Sequence, residues 1–516
     1  MLGNSQVQPA GVDSPARQER PARRSGQARS GLMAGWHAVR TAAARHWLAV
    51  VLLAAGLALR VLAELAYRPA LFYIDSTRYL YNADGMDPVG YSGPLRAILA
   101  VANFDTVAAV QHLLGLAMAV VIYTLLVRRG VWGWLAAVAI APVLLDAYQL
   151  QIEQTVMPDS WFEALIVAGL AILLWQPAAA GDGGSVPQRA GPGWQRVIAG
   201  GIVLGTSALV AQVGEALLLP AAVYALAAGG GWRQAIGKAA ALCAAFALPI
   251  LAYCTGSYLL TGDFFLSHTG VTSFYGRMAA AADCATIRLP PAERGMCPTV
   301  SQQAKGPDWL EYGNGSPVRP YYANLPRAEA DRLLSDFSHR VLAQQPLRVA
   351  GAYARDVVKL LALTRDTRPG DTMIARWQFR TSYPYYPPHA SEAVVDAAGG
   401  AQGGRPAVWR PVAAFLRSYQ LHGGYTPGPL FAACALAGLA GSAAAGRRRQ
   451  DPASRGRALG CLLFLGSGAA VLLVSDLFEF SWRYQLPALV TLVPAGALGI
   501  SVLAGSVRKP AASSRS

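Results

Sequence analysis

Long apolar runs separated by short basic segments constrain this chain more than any other feature. Between Thr106 and Val127, 22 residues pass without an Asp, Glu, Lys or Arg. About 20 such residues are what a helix needs to cross a hydrocarbon core ~30 Å thick. Only 14% of the 516 residues are charged and 53% are hydrophobic, whereas soluble domains carry about 25% charged residues. The expected fold class is an all-α polytopic membrane protein. Apolar windows fall at 47–67, 106–127, 131–146, 158–175, 196–211, 213–229, 238–260, 427–445, 458–476 and 484–505, about ten transmembrane helices in all. The fifth and sixth windows also read as one re-entrant pair.

Charge placement gives the sidedness. Lys and Arg number 44 against 29 Asp and Glu, a formal +15, which in a soluble chain points to nucleic acid. Here the positives sit between apolar blocks: Arg128 and Arg129, Arg189 and Arg196, Arg233 and Lys238, Arg447 to Arg449 with Arg455 and Arg457, then Arg508, Lys509 and Arg515. The opposite turns, 147–157 and 211–216, contain no Lys or Arg. The positive-inside rule therefore puts both termini in the cytoplasm, and no basic stripe tracks a nucleic-acid backbone. The expected domains are a disordered basic cytoplasmic tail, 1–46; an N-terminal bundle of about seven helices, 47–260, with an outer loop at 68–105; an extracytoplasmic domain, 261–426; about three C-terminal helices, 427–505; and a cytoplasmic tail, 506–516. Trp47 to Tyr67 is read as a membrane helix and not as a cleaved leader.

The outer segment 261–426 is too polar to span a bilayer and is expected to be a mixed domain with a juxtamembrane helix. It holds Cys284 and Cys297, 13 residues apart and the only cysteine pair in a polar region, so they are disulfide candidates on an oxidising side. Cys243, Cys254, Cys434 and Cys461 read as small core residues. Pro326 and Pro346 precede two helix patterns. The second, Leu347 to Leu363, is amphipathic with Arg348, Arg355 and Lys359, which suits a membrane surface as well as it suits packing on the domain. Trp377 to Pro388 is an extended aromatic loop, because its three prolines exclude a helix or a central strand.

No cytoplasmic loop is long enough for a nucleotide site, and there is no Gly-rich phosphate loop or Cys/His metal-ligand spacing. Chemistry must then run on the outer face. Glu64, Glu153, Asp159, Glu163, Glu215, Asp476, Glu479 and Arg483 all map near outer helix ends, where ionisable groups are costly and hence informative. Arg60 is expected to pair with Glu64 one turn on. The first outer loop is densest, with Asp75, Arg78, Tyr79, Asp84, Asp87, Tyr91 and Arg96 inside 22 residues. On a helix Asp75 and Arg78 share a face. A carboxylate there can take a hydroxyl proton and a guanidinium can grip a phosphate, or the two form an exposed ion pair. His268, Arg277 and Arg288 are further candidates for phosphate, and His268 for a metal, each with a plain surface role as its rival.

The run Phe72 to Tyr79 after the first membrane helix, Gly90-Tyr91-Ser92-Gly93-Pro94, Gln111-His112-Leu113-Leu114-Gly115, Glu153 with Met157-Pro158-Asp159-Ser160, and Glu479-Phe480-Ser481-Trp482-Arg483-Tyr484-Gln485-Leu486-Pro487 occur in one order and on one side. As a set they resemble the phospholipid-carrier-dependent glycosyltransferases of the GT-C fold, including the aminoarabinose and protein-mannosyl transferases. The resemblance covers roughly 47–260 and 427–505. It implies a GT-C-type bundle in a bacterial plasma membrane, with the active site on the extracytoplasmic face. It further implies a polyprenyl-phosphate sugar donor, an envelope glycan, lipid or protein as acceptor, and an inverting transfer with Asp75 as general base. Arg78 and Arg483, with Arg277, are the expected lipid-phosphate contacts. Tyr79, Glu153, Asp159, His268, Glu479 and Tyr484 are the expected supporting or substrate-binding residues. No cofactor is assigned. A divalent metal stays open, since Ser92 and Gly93 replace the Glu-Lys pair of the aminoarabinose branch and its metal contact does not carry over. Competing classes are a transporter or non-catalytic envelope assembly protein, and an oligosaccharide ligase or polymerase with a pyrophosphate-linked donor.

Overall fold

The computed structural model describes residues 46–81, 88–175, 191–228, 230–387, 391–396, 404–446 and 452–507. The tail 1–45, Asp84, Asp87, Arg189, Arg447 to Arg449 and the stretch 508–516 lie outside the described residues. The chain is a multi-pass, mainly helical membrane protein. Among the described residues six helices are long and apolar enough to cross a membrane: Trp47–Ala66 (α1), Phe104–Arg128 (α4), Trp232–Thr261 (α10), Gly428–Gly446 (α18), Ser454–Phe478 within Pro452–Phe478 (α19), and Trp482–Gly505, which contains most of Pro487–Val507 (α20). A seventh span arises if Gly133–Leu145 (α5) and Ala147–Glu153 (α6), bent by 54°, count as one.

The remaining expected spans are shorter helices: Asp159–Leu174 (α7), Trp194–Val210 (α8) and Leu218–Ala228 (α9), the last preceded by a 3-10 turn at Gln212–Leu217. The breaks have local causes that an apolar window averages away. Asp146 stops α5 and caps α6, its carboxylate accepting from the Tyr148 and Gln149 amides. Helix α8 ends at Ala211 in extended backbone.

Small residues let these helices approach closely, which matters where lipid offers no hydrophobic drive for helix association. A Cβ on Gly201 or Gly205 of α8 would strike the α10 backbone at Leu242 or Phe246. One on Gly441 of α18 would strike Gly499 of α20. Helix α20 is the bundle's most enclosed span, with 89% of its apolar window buried.

Two short helices follow α1: Ser76–Tyr81 (α2) and Val89–Leu99 (α3). Between α10 and α18 the described residues form Thr269–Ala281 (α11), Val300–Gln303 (α12), Pro307–Tyr312 (α13), Arg319–Asn324 (α14), Arg327–Gln344 (α15), Pro346–Lys359 (α16) and Arg410–Leu421 (α17). Among the described residues the segment is mainly helical. Within its described residues the strand Ala407–Val408 (β2) pairs antiparallel with Tyr67–Arg68 (β1) at the end of α1. Cys284 and Cys297 are joined as a disulfide. Tyr275, Met278, Leu310, Leu334, Phe337 and Val341 bury together as a second core. Leu334, Phe337 and Val341 recur at helical spacing on one face of α15.

Candidate functional site

A cavity of about 1090 Å³ opens where the loop after α1, the segment 307–387 and the turn between α19 and α20 meet. The first loop is held there by backbone pairing: Leu71 donates to Gln154 O at 2.9 Å and accepts from the Val156 amide at 2.9 Å. Ser76 fastens the start of α2. Its hydroxyl accepts from the Tyr73 amide and donates to Val156 O, both at 2.8 Å. Asp75 is thereby set beside Asp159, the first residue of α7.

Asp75, Arg78, Tyr79, Asp159, Glu479, Arg483 and Tyr484 all line this cavity. Arg483 is its centre. Its Nη1 lies 4.0 Å from Asp75 Oδ2 and its Nε 3.4 Å from Asp159 Oδ1. Its guanidinium carbon stands 5.0 Å from the Trp377 ring centroid and 5.1 Å from that of Tyr484. Arg78 Nη2 lies 3.7 Å from Asp75 Oδ1. Tyr484 donates to Glu479 Oε1 at 2.6 Å. Burial, with Asp308 adding repulsion, pushes the Glu479 carboxyl up to about 7.

Four candidate site residues stand elsewhere. Glu153 is fully buried behind the cavity, 2.8 Å from Arg60 Nη2 and 2.9 Å from His112 Nδ1. It is thus Glu153, not Glu64, that pairs with Arg60, because the bend between α5 and α6 folds Glu153 against α1. Arg60 also donates to Gly56, Val143 and Leu144 carbonyls, which completes an interior lock. Arg277 does not line the cavity. It is buried, pairs with Asp356 at 2.6 Å and donates to Asp476 O at 2.7 Å, tying α11 to α16 and α19. The His268 imidazole stacks on Phe265 with centroids 3.7 Å apart, outside the cavity lining. Burial, reinforced by Arg327, lowers its pKa. Arg288 is exposed and also absent from the lining.

The far wall was not anticipated. Asp308, Glu311 and Tyr312 on α13, with Arg376 and Tyr73, complete the enclosure. Arg376 Nη1 reaches Asp308 at 3.0 Å and Tyr73 OH at 3.1 Å. The aromatic run folds inward: Trp377 and Tyr386 pack on Tyr73, and Tyr383 donates to Ala70 O at 2.7 Å. The aromatic loop was thus the available signal for this wall, and the three acidic and phenolic side chains of α13 carried none. No group of three or more His, Cys, Asp or Glu side chains among the described residues is arranged to hold a metal ion.

No family model matches the chain. No curated protein matches it. Among solved structures it is similar to the archaeal oligosaccharyltransferase AglB from Archaeoglobus fulgidus, solved in complex with an inhibitory peptide and a dolichol-phosphate. Identity is 13%, the match covers 90% of this chain and 51% of that one, and the TM-score is 0.37. The chain spans about half the length of that protein, and so loose a likeness assigns neither family nor activity.

Proposed function

We propose that this protein is a membrane glycosyltransferase of GT-C type that moves a sugar from a polyprenyl-phosphate carrier to an envelope acceptor hydroxyl. The reading rests on one observation: Arg483 sits between Asp75 and Asp159, with Nε and Nη1 making no hydrogen bond. Two carboxylates hold the guanidinium in place without saturating it, which leaves forked donors for a phosphate. On this reading the apolar helices are the ten-membered bundle, and 261–426 is its extracytoplasmic domain.

In the reaction, the acceptor oxygen attacks the anomeric carbon as the bond from that carbon to the phosphate oxygen breaks. The electron pair stays on the phosphate, beside Arg483 and Arg78, and the hydroxyl proton passes to Asp75. A single displacement inverts the anomeric centre.

The test is sugar release and transfer by the purified protein in lipid, using a panel of polyprenyl-phosphate sugars with envelope extract as acceptor. Turnover by wild type and none by Asp75→Asn, with carrier binding retained, is the expected result. Equal background for both across the panel returns the cavity to a binding or transport role.

A further inference from the structure

Two carboxyls of the cavity stand apart from the rest. Asp75, Asp159 and Asp308 each face an arginine, whereas neither Glu479 nor Glu311 is in an ion pair among the described residues. Each instead accepts one hydroxyl: Tyr484 OH on Glu479 Oε1 at 2.6 Å, and Ser273 Oγ on Glu311 Oε2 at 2.8 Å. The second oxygen of Glu311 is buried without a partner. Gly276 makes room for Glu311, since a Cβ there would stand 2.6 Å from its Cγ. The groups facing Glu479 are Asp308, Asp75, Glu311, Arg483 and Tyr484; those facing Glu311 are Glu479, Asp308, Tyr312 and Ser273.

We propose that Glu479 and Glu311 form a proton-holding site, in which Glu311 stays protonated and Glu479 takes up one proton when a phosphate dianion enters the cavity. The physical reason is charge conservation. Transfer from a phosphodiester donor leaves a monoester with one more negative charge and frees one proton from the acceptor. A cavity partly shielded from solvent limits the resulting charge imbalance by keeping that proton. Asp75 lies between two guanidiniums, 3.7 Å from Arg78 and 4.0 Å from Arg483. Burial and neighbouring carboxylates instead raise both glutamates, Glu479 to about 7 and Glu311 well above its ordinary range. The acceptor proton, taken first by Asp75, thus comes to rest on Glu479 as the phosphate gains its charge.

This inference rests on the phosphate-binding reading, so the experiment separates the two. Farnesyl monophosphate is titrated into the full-length protein in lipid nanodiscs, by calorimetry in buffers of differing ionisation enthalpy. The ligand's second ionisation lies near pH 6, so between about pH 7 and 8 it is largely the dianion. Wild type is expected to take up close to one proton per ligand at pH 8. Its Kd is expected to weaken by up to about tenfold per pH unit. Glu479→Gln should bind with no uptake and a flat Kd, while Glu311→Gln should keep the uptake. Binding by wild type without uptake, or uptake unchanged in Glu479→Gln, overturns the proton site and leaves the transferase reading standing. Absence of binding by wild type overturns both.

Discussion

Arg483 carries its geometry in the distances to its neighbours. At 3.4 and 4.0 Å the two carboxylates attract it without forming a hydrogen-bonded pair, so a ligand phosphate competes for donors that are already desolvated and oriented. A lysine offers a compact point charge and no fork. Arg483→Lys is therefore expected to lower kcat/KM for the carrier-linked donor by about a hundredfold, the scale of losing one oriented transition-state donor. The protein should remain folded, as measured by thermal unfolding in detergent. Parallel losses from Arg483→Lys and Arg483→Ala would be expected; near-normal turnover in the lysine variant would remove Arg483 from phosphate recognition. Asp75, Arg78, Asp159 and Arg483 were all legible as candidates because an ionisable residue next to an apolar block must have a partner or a task. The same rule could not rank them. Arg60 and Glu153 look alike by composition and prove to be each other's partner, 93 residues apart.

The elements show where local signals suffice and where they fail. Helix α1 and the long helices α4, α10 and α18 to α20 follow directly from long apolar runs. The bends do not, because one capping aspartate outweighs the apolar residues around it at the α5–α6 junction. That junction is held from behind. Glu153 on α6 meets Arg60 on α1 and His112 on α4, and Gln149 spans to both Glu153 and Glu163 at 3.2 and 2.8 Å. Removing one partner of a buried pair strands the other charge, at a cost of about 3–5 kcal/mol. Glu153→Ala should therefore lower the unfolding temperature of the purified protein markedly. Joint replacement Arg60→Met with Glu153→Leu should recover most of it, since apolar residues of similar volume substitute well for such pairs. If the double variant is as unstable as the single, the lock contributes through packing and not through charge.

Across the whole molecule the cavity is assembled from regions far apart in the chain, among them residues 73–81, 158–162, 308–327, 372–387 and 471–487. The first, second and last lie beside apolar blocks and were readable for that reason. The other two belong to polar stretches without periodicity, and nothing local marks Glu311 as the neighbour of Glu479. Their meeting has a consequence for the stability of the fold. Glu479 titrates at 4.5 in an unstructured chain and near 7 in the fold. Between those values the folded state holds a proton that the unfolded state has lost, so stability falls as pH rises through that window and stays lower above it. The unfolding temperature of the wild type in detergent should thus decline between about pH 5 and 8, and Glu479→Gln, which cannot ionise, should decline less over the same range. A variant curve parallel to that of the wild type would mean that Glu479 is as solvated in the protein as in water.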